Sequence, residues 1–440
     1  MLVPLAPPGM AEEHFVDKRP LYNAAEATAE ANRCLYCVDA PCIAACPTEI
    51  DIPTFIHKLA TGNVKGAART ILNANILGQS CGQACPVEVL CAGACVYNAW
   101  GREPIAIGRL QRFGVEAALR QDPGLFKAQP ATGKRIALLG SGPASVAAAG
   151  MLALAGHSCV LFEKKRIPGG LNSLGIAPYK MKLPEALKEL NWVLSLGDIE
   201  LRTDVEVVAG SALPGQVSAQ TLLETFDGVF LGLGLGVDAR LGIEGEDGAG
   251  VYGAVQLIEL LKSRPGFSLG AAKRALIIGG GNTAIDIAHE LVLLGWESSM
   301  VYRREANQMS GYGHELNGAR EHGVRLLENR RPLAVLRGEG GEVTGLEVAL
   351  TQGKEAKETL PADLIVVAIG QSKATQVALG FPGVALDSRG CVVVDPATHR
   401  THHPRVWSGG DCVNGGREVV NAAAEAKLAV RDMQRFLREH

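Results

Sequence analysis

The 440-residue sequence has no surplus of charge of either sign: 43 Lys and Arg stand against 46 Asp and Glu, a net charge of −3. Nothing in that balance draws the chain toward nucleic acid or an anionic membrane. No uninterrupted apolar run is long enough to span a bilayer, and residues 1–20 (MLVPLAPPGMAEEHFVDKRP) hold no apolar core of signal-peptide length. The expectation is a soluble, cytoplasmic protein, long enough for two to four domains with ample core.

Cysteine is abundant but unevenly spread. Of eleven cysteines, eight fall between Cys34 and Cys95. Cys159, Cys391 and Cys412 lie elsewhere and form no Cys-x-x-Cys pair, which argues against a redox-active disulfide and reads as buried, inert thiols. Four disulfides do not suit a reducing compartment, so the clustered cysteines read as metal ligands. They run Cys34-x2-Cys37-x4-Cys42-x3-Cys46-Pro47 and Cys81-x3-Cys85-Pro86-x4-Cys91-x3-Cys95. Zinc modules set paired Cys-x2-Cys knuckles some 15–20 residues apart. The runs here are tighter, unequal and twice followed by Pro, as in iron–sulfur runs whose last Cys serves the other cluster. Zinc remains the structural alternative.

Beyond the linker-like QDPGLFKAQPATGKR (121–135), two stretches share one plan. RIALLGSGPASVAAAGMLALAGHSCVLFEKK (135–165) and RALIIGGGNTAIDIAHELVLLGWESSMVYRRE (274–305) each read as an apolar strand, a glycine turn, a helix and a second strand. A repeated βαβ unit makes two nucleotide sites the default expectation. LIVVAIGQ (364–371) adds a strand, and residues 405–437 a closing strand, turn and helix.

In the first unit Gly140, Gly142 and Ser145 fill the Gly-x-Gly-x-x-Gly positions, with Pro143 and Ala144 between them. The first glycine makes the turn, the second admits the pyrophosphate, and the third position needs a small side chain. Glu163, after the next strand, suits ribose hydroxyls. Gly169-Gly170-Leu171, VFLGLGLG (229–236) and Ser408-Gly409-Gly410-Asp411 accompany it. In the second unit Gly279, Gly281 and Ala284 fill the same pattern around Asn282 and Thr283, and Gly370 follows the later strand. Its second strand ends in Arg303-Arg304, which suits the 2′-phosphate of NADP better than the 2′-hydroxyl of NAD.

Taken together, these segments resemble known families. An early Gly-x-Gly-Pro-Ala with a late Gly-Asp resembles two-dinucleotide-binding flavoproteins that close over FAD, with Asp411 toward the ribityl-phosphate part. RCLYCVDAPCIAACPTEIDIPTFI (33–56), ILGQSCGQACPVEVLCAGACVYN (76–98) and PIAIGRLQRF (104–113) resemble the N-terminal iron–sulfur domain of dihydropyrimidine dehydrogenase. So does GPASV (142–146), where glutamate synthase small subunits usually carry Gly in place of Ser145. EKKRIPGGL (163–171) and SGGD fit both families. The FMN barrel and C-terminal ferredoxin-like run of the long single-chain enzyme are absent, so the chain is similar to the flavin-bearing small subunit of the bacterial two-subunit enzyme.

The resemblance implies an α/β fold: a helical iron–sulfur domain (1–127), then two interleaved Rossmann-like domains, one for FAD (128–241 and 364–440) and one for NAD(P)H (242–363). It implies one [4Fe–4S] cluster on Cys34, Cys37, Cys42 and Cys95. A second would sit on Cys46, Cys85, Cys91 and the amide oxygen of Gln111, leaving Cys81 unligated although spacing alone nominates it. Lys180 matches a basic residue near the flavin. Bacterial relatives of this kind are NAD-linked, and Ser310 replaces a further basic residue of the NADPH enzymes, so resemblance favours NADH where the arginine pair favours NADPH. The implied activity is oxidation of NAD(P)H at FAD. Electrons then pass through two clusters to an FMN-containing partner subunit that reduces uracil or thymine, in a hetero-oligomer. A glutamate synthase small subunit, or another NADPH–ferredoxin-type reductase, is the alternative. Hydride transfer needs no nucleophile or acid–base pair on this chain, and the histidines read as surface or packing residues.

Overall fold

The computed structural model describes residues 3–4, 8–122, 124–270, 273–352 and 356–440. Residues 8–122 form short helices, three of which are opened by a side-chain cap. Asn23 accepts from the Glu26 amide (2.9 Å) and the Glu26 carboxylate accepts from the Asn23 amide (2.8 Å), a reciprocal box that opens Ala24–Ala31. Asp51 caps Ile52–Ala60 through the Thr54 amide, and Asn63 caps Val64–Ala74 through the Gly66 amide. Ile52–Ala60 buries Ile52, Phe55, Ile56 and Leu59, one stripe at helical spacing. Helices Gly78–Ala84 and Ile107–Gln121 pack backbone to backbone at Gly82, where a Cβ would stand 2.8 Å from the Arg112 nitrogen. That contact sets Gln111 beside the helix bearing Cys81 and the sequence leading into Cys85.

Two five-stranded parallel sheets follow. The first runs Val406–Ser408, Gly228–Leu231, Arg135–Leu139, Ser158–Phe162, Ile199–Arg202. The second runs Val251–Gly253, Leu364–Val367, Arg274–Ile278, Glu297–Val301, Arg325–Leu327. Their central strands are buried on both faces, which is why they read as unbroken apolar runs. Strands Arg330–Arg337, Val343–Leu350 and Lys357–Pro361 add a three-stranded antiparallel sheet. Helix Val419–Glu439 closes the first unit, with the Trp407 indole donating to Asp432 (2.9 Å).

The expected boundary at 364 is corrected by this topology. Leu364–Val367 pairs with Arg274–Ile278 and Val251–Gly253, so it completes the second sheet instead of returning to the first. The two crossings between units run side by side farther on: the Gly236 amide donates to the Ser372 carbonyl and the Ser372 amide to the Val237 carbonyl, both at 2.8 Å.

Charged groups also bridge the units. The Lys180 ammonium meets Asp286 (2.7 Å) and Glu315 (3.2 Å), and Lys18 meets the other oxygen of Glu315 (2.7 Å). The fully buried Lys262 donates to the carbonyls of Ile176 and Met181, each at 2.8 Å. Burial drives its pKa down to about 8, with Glu12 and Glu290 opposing.

Candidate cofactor cleft and cysteine centres

A cleft of about 1490 Å³ lies between the two units. One wall holds Gly140, Gly142, Pro143, Ala144, Glu163, Gly170, Leu171, Lys180, Gly410 and Asp411; the facing wall holds Asn282, Thr283 and Gly370. It also reaches Ala84, Cys85 and Pro86, so one cavity touches both nucleotide loops and a clustered cysteine.

The glycines divide by task. Gly140 has φ +78°, and a Cβ there would lie 2.5 Å from the Gly232 carbonyl oxygen, so it serves the turn. Gly142 has φ −69° and ψ 176°, open to any residue, and a Cβ there would meet nothing within 4 Å. Its lack of a side chain clears the cleft in front of helix Pro143–Leu154, where unpaired amides favour phosphate. Pro143 heads that helix, where its missing N–H costs nothing. Ser145 is fully buried and donates to the Leu139 carbonyl (3.0 Å), facing Gly232. It is a packing residue that does not reach the cleft wall.

Glu163 is held before any ligand arrives. One oxygen accepts from the Ser141 amide (2.9 Å) and hydroxyl (2.7 Å), the other from the Lys165 amide (2.8 Å). The Ser141 hydroxyl also accepts from the Gly169 amide (2.9 Å), tying three loop segments together. Sequence reading missed Ser141; a hydroxyl between the two glycines of a fingerprint followed by a distant acid was the available signal. Asp411 accepts from the Arg417 amide (3.1 Å), and burial raises its carboxyl pKa. Tyr312 and Glu418 meet across the cleft, hydroxyl to carboxylate, at 2.9 Å.

On the second unit Gly279 has φ +148° and a Cβ would come within 2.2 Å of the Ala368 carbonyl, while Ala284 is fully buried. A Cβ on Gly281 would meet only the Ser310 hydroxyl, at 3.6 Å. Arg303 and Arg304 are exposed and outside the cleft wall; the Arg304 guanidinium lies over the Tyr302 ring at 5.5 Å. Lys180 does line the cleft, but its ammonium is engaged with Asp286 and Glu315, which hold its pKa up against burial.

Cys34, Cys37, Cys42 and Cys95 surround one cavity with Pro41, Ile52, Ile56 and Tyr97. Burial raises the Cys42 thiol to about 12, and Cys34, Cys95 and Cys37 add to the shift. Four thiols around one apolar cavity form a sulfur-only donor set of the kind a cationic metal core takes. Among the described residues no three His, Cys, Asp or Glu side chains close on a site for one metal ion.

Cys46, Cys85 and Cys91 form the neighbouring set with Cys81. The Cys85 thiol is raised far by its hydrogen bond to Cys81 and by burial, with Cys91 and Cys46 adding. Cys91 is raised to about 12 by burial and by Cys46. The sulfur of Cys81 accepts from the Asn75 amide (3.1 Å). The Gln111 amide donates to the Gly78 carbonyl (2.7 Å), which turns its oxygen to the other end of the amide. Cys159, Cys391 and Cys412 are buried elsewhere in the fold.

Comparison with known proteins matches residues 11–123 to the family described as dihydropyrimidine dehydrogenase domain II, 4Fe-4S cluster, and residues 134–426 to pyridine nucleotide-disulphide oxidoreductase. The chain belongs to the pyridine nucleotide-disulphide oxidoreductase family. It carries an N-terminal 4Fe–4S domain, FAD and NAD(P)H fit its sites, and it is an NAD(P)H-dependent oxidoreductase. The 4Fe–4S match sets the zinc alternative aside.

Two relatives match almost end to end. The glutamate synthase [NADPH] small chain of Escherichia coli (strain K12) is 30% identical over 99% of this chain and 96% of its own. The NAD-dependent dihydropyrimidine dehydrogenase subunit PreT of the same organism is 31% identical over 97% of this chain and 98% of its own. Among solved structures, T. acidophilum thioredoxin reductase aligns with a TM-score of 0.55 at 19% identity, covering 68% of this chain and 97% of that one. At that identity it speaks for the fold alone. No helix among the described residues is long and apolar enough to cross a membrane.

Proposed function

We propose that the chain is the electron-input subunit of a dihydropyrimidine dehydrogenase, working in a hetero-oligomer with an FMN-containing subunit that reduces uracil or thymine. The observation that carries this reading is the single cleft that touches Gly142, Asn282 and Cys85. A nicotinamide and a flavin held there would lie next to a cysteine of the iron–sulfur domain. FAD held by these residues would supply hydride acceptance from a nicotinamide, and clusters on the cysteines would supply one-electron transfer onward.

The chain's own residues supply placement. Gly140, Gly142 and the amides of Pro143–Leu154 receive the FAD pyrophosphate, Glu163 and Ser141 order the ribose side, and Gly410 with Asp411 hold the far end of the chain. Gly279, Gly281 and Asn282–Leu293 do the same for the nicotinamide dinucleotide, with NADH as the donor. Arg303 and Arg304, exposed at the end of Glu297–Val301, are the cations that would serve a 2′-phosphate, with Arg304 leaving the Tyr302 ring, so NADPH is also admitted.

We assign one [4Fe–4S] cluster to Cys34, Cys37, Cys42 and Cys95 and a second to Cys46, Cys85, Cys91 and Gln111. The Gln111 amide nitrogen tied to the Gly78 carbonyl leaves its oxygen available as the ligand, and leaving Cys81 out rests on the resemblance. A glutamate synthase small chain is the second reading, favoured by the comparable identity of that relative. The test is co-purification. A stable FMN-bearing partner that reduces uracil or thymine with NADH supports the first reading; a glutamine-dependent partner supports the second.

A further inference from the structure

Asn172 stands at an unusual place on the cleft wall, on helix Gly170–Leu174. It is 92% buried, being 8% exposed, and its side-chain oxygen has no hydrogen-bond partner. Its nitrogen donates to the hydroxyl of Ser80 (2.9 Å), on the helix Gly78–Ala84. Ser80 in turn donates its proton to the carboxylate of Glu189 on Leu183–Leu194. Glu189 also accepts from the backbone amides of Gln79 (2.8 Å) and Ser80 (3.2 Å), so it caps the helix that carries Cys81 and leads into Cys85.

The chain of donors has one direction. Burial raises the Glu189 pKa to about 7, against the Ser80 and Gln79 donors that favour the charged form. Above that pH the ionised carboxylate only accepts, so the Ser80 hydroxyl donates to Glu189 and can only accept from Asn172. Asn172 must then present its nitrogen to Ser80 and its oxygen to the other side. A buried carbonyl oxygen without a donor costs about 1–3 kcal/mol, unless a ligand supplies the N–H. In the reading above the cleft holds flavin, whose oxidised ring carries one N–H, at N3. The ring belongs at the Cys85 end if electrons are to leave toward the cysteines, and that is the end where Asn172 is tied to the cysteine helix.

We propose that Asn172 binds the flavin ring through its side-chain oxygen, with Ser80 and Glu189 as the positioning residues that set the orientation of its amide. One carboxylate thereby orders both the flavin contact and the helix leading to Cys85. The inference rests on the flavin reading of the cleft.

The test is the rate at which FAD leaves the anaerobically purified holoprotein, followed by flavin fluorescence, beside thermal stability and iron content. Asn172→Ala should speed release about tenfold, the equivalent of one hydrogen bond near 1.4 kcal/mol. Glu189→Gln should speed it comparably, and the double variant should release no faster than either single one, because both act on one bond. A purely structural brace would lower stability and leave FAD release unchanged or additive. If Glu189→Gln does not fold, Ser80→Ala replaces it with the same expectation. Flavin-loaded wild-type protein whose release rate Asn172→Ala leaves unaltered overturns this inference alone. Wild-type protein without flavin removes the cleft reading and this inference with it.

Discussion

Gly140 and Gly142 are two residues apart, yet substitution to alanine should fail in opposite ways. At Gly140 the methyl would sit 2.5 Å from the Gly232 carbonyl oxygen, on a residue with φ +78°. The left-handed conformation alone costs an alanine about 1–2 kcal/mol, and the contact adds to it, so Gly140→Ala should lower the thermal midpoint of the apoprotein. At Gly142 the backbone is extended and a Cβ meets nothing within 4 Å. Removing a glycine's freedom from the unfolded chain there should stabilise by about 0.4–1 kcal/mol. The same methyl projects where the pyrophosphate must approach the helix amides. Forfeiting one charge-assisted hydrogen bond costs about 1.5–3 kcal/mol, or roughly 10- to 150-fold in FAD affinity. The assay pairs thermal unfolding of flavin-stripped protein with FAD titration by fluorescence quenching. Gly142→Ala protein that melts no lower than wild type and binds FAD with unchanged affinity would refute the reasoning, because the open space would then not be the phosphate approach.

Other perturbations follow from the same contacts. Lys180→Met leaves Asp286 and Glu315 facing one another with Lys18 on Glu315 and the Tyr179 hydroxyl on Asp286, and should destabilise by about 3–5 kcal/mol, read by denaturant titration. Burial would raise the Glu315 carboxyl, but Lys180 and Lys18 hold it down to about 2. Its contribution is therefore complete above the ordinary carboxylate range and is lost as pH falls from about 5 toward 2, some 3 kcal/mol in all. The stability gap between wild type and Glu315→Gln should close over that window, and a gap that persists at the acid end counts against it. For the ligand sets, Gln111→Leu should lose one cluster's iron while Cys81→Ala keeps both; the reverse result overturns the assignment.

How legible the molecule was depends on how local each signal is. Strand, glycine turn and helix repeat at residues 135–165 and 274–305 because the pyrophosphate turn is written in adjacent residues, and the fold follows from those. Leu364–Val367 was read as a strand but given to the wrong sheet, since a short apolar run does not say which neighbour it pairs with. Arg303 and Arg304 were legible as cations at a strand end; that both side chains lie exposed outside the cleft is a matter of rotamer and packing. Lys180 drew notice by resemblance, while its role in bridging the units depends on Asp286 and Glu315, far along the chain. Gln111 was invisible without the resemblance, one polar residue on a helix. The Asn172, Ser80 and Glu189 chain joins residues about a hundred positions apart, and no local pattern could announce it.

The central claim is that one chain couples a nicotinamide-fed flavin to two iron–sulfur clusters, and its composition tests that most directly. Anaerobically purified protein should hold one FAD with about eight iron and about eight sulfide per chain, as two [4Fe–4S] clusters require, and its flavin band should bleach on addition of NADH. Zinc in place of iron, or a flavin that neither NADH nor NADPH bleaches, would contradict the account.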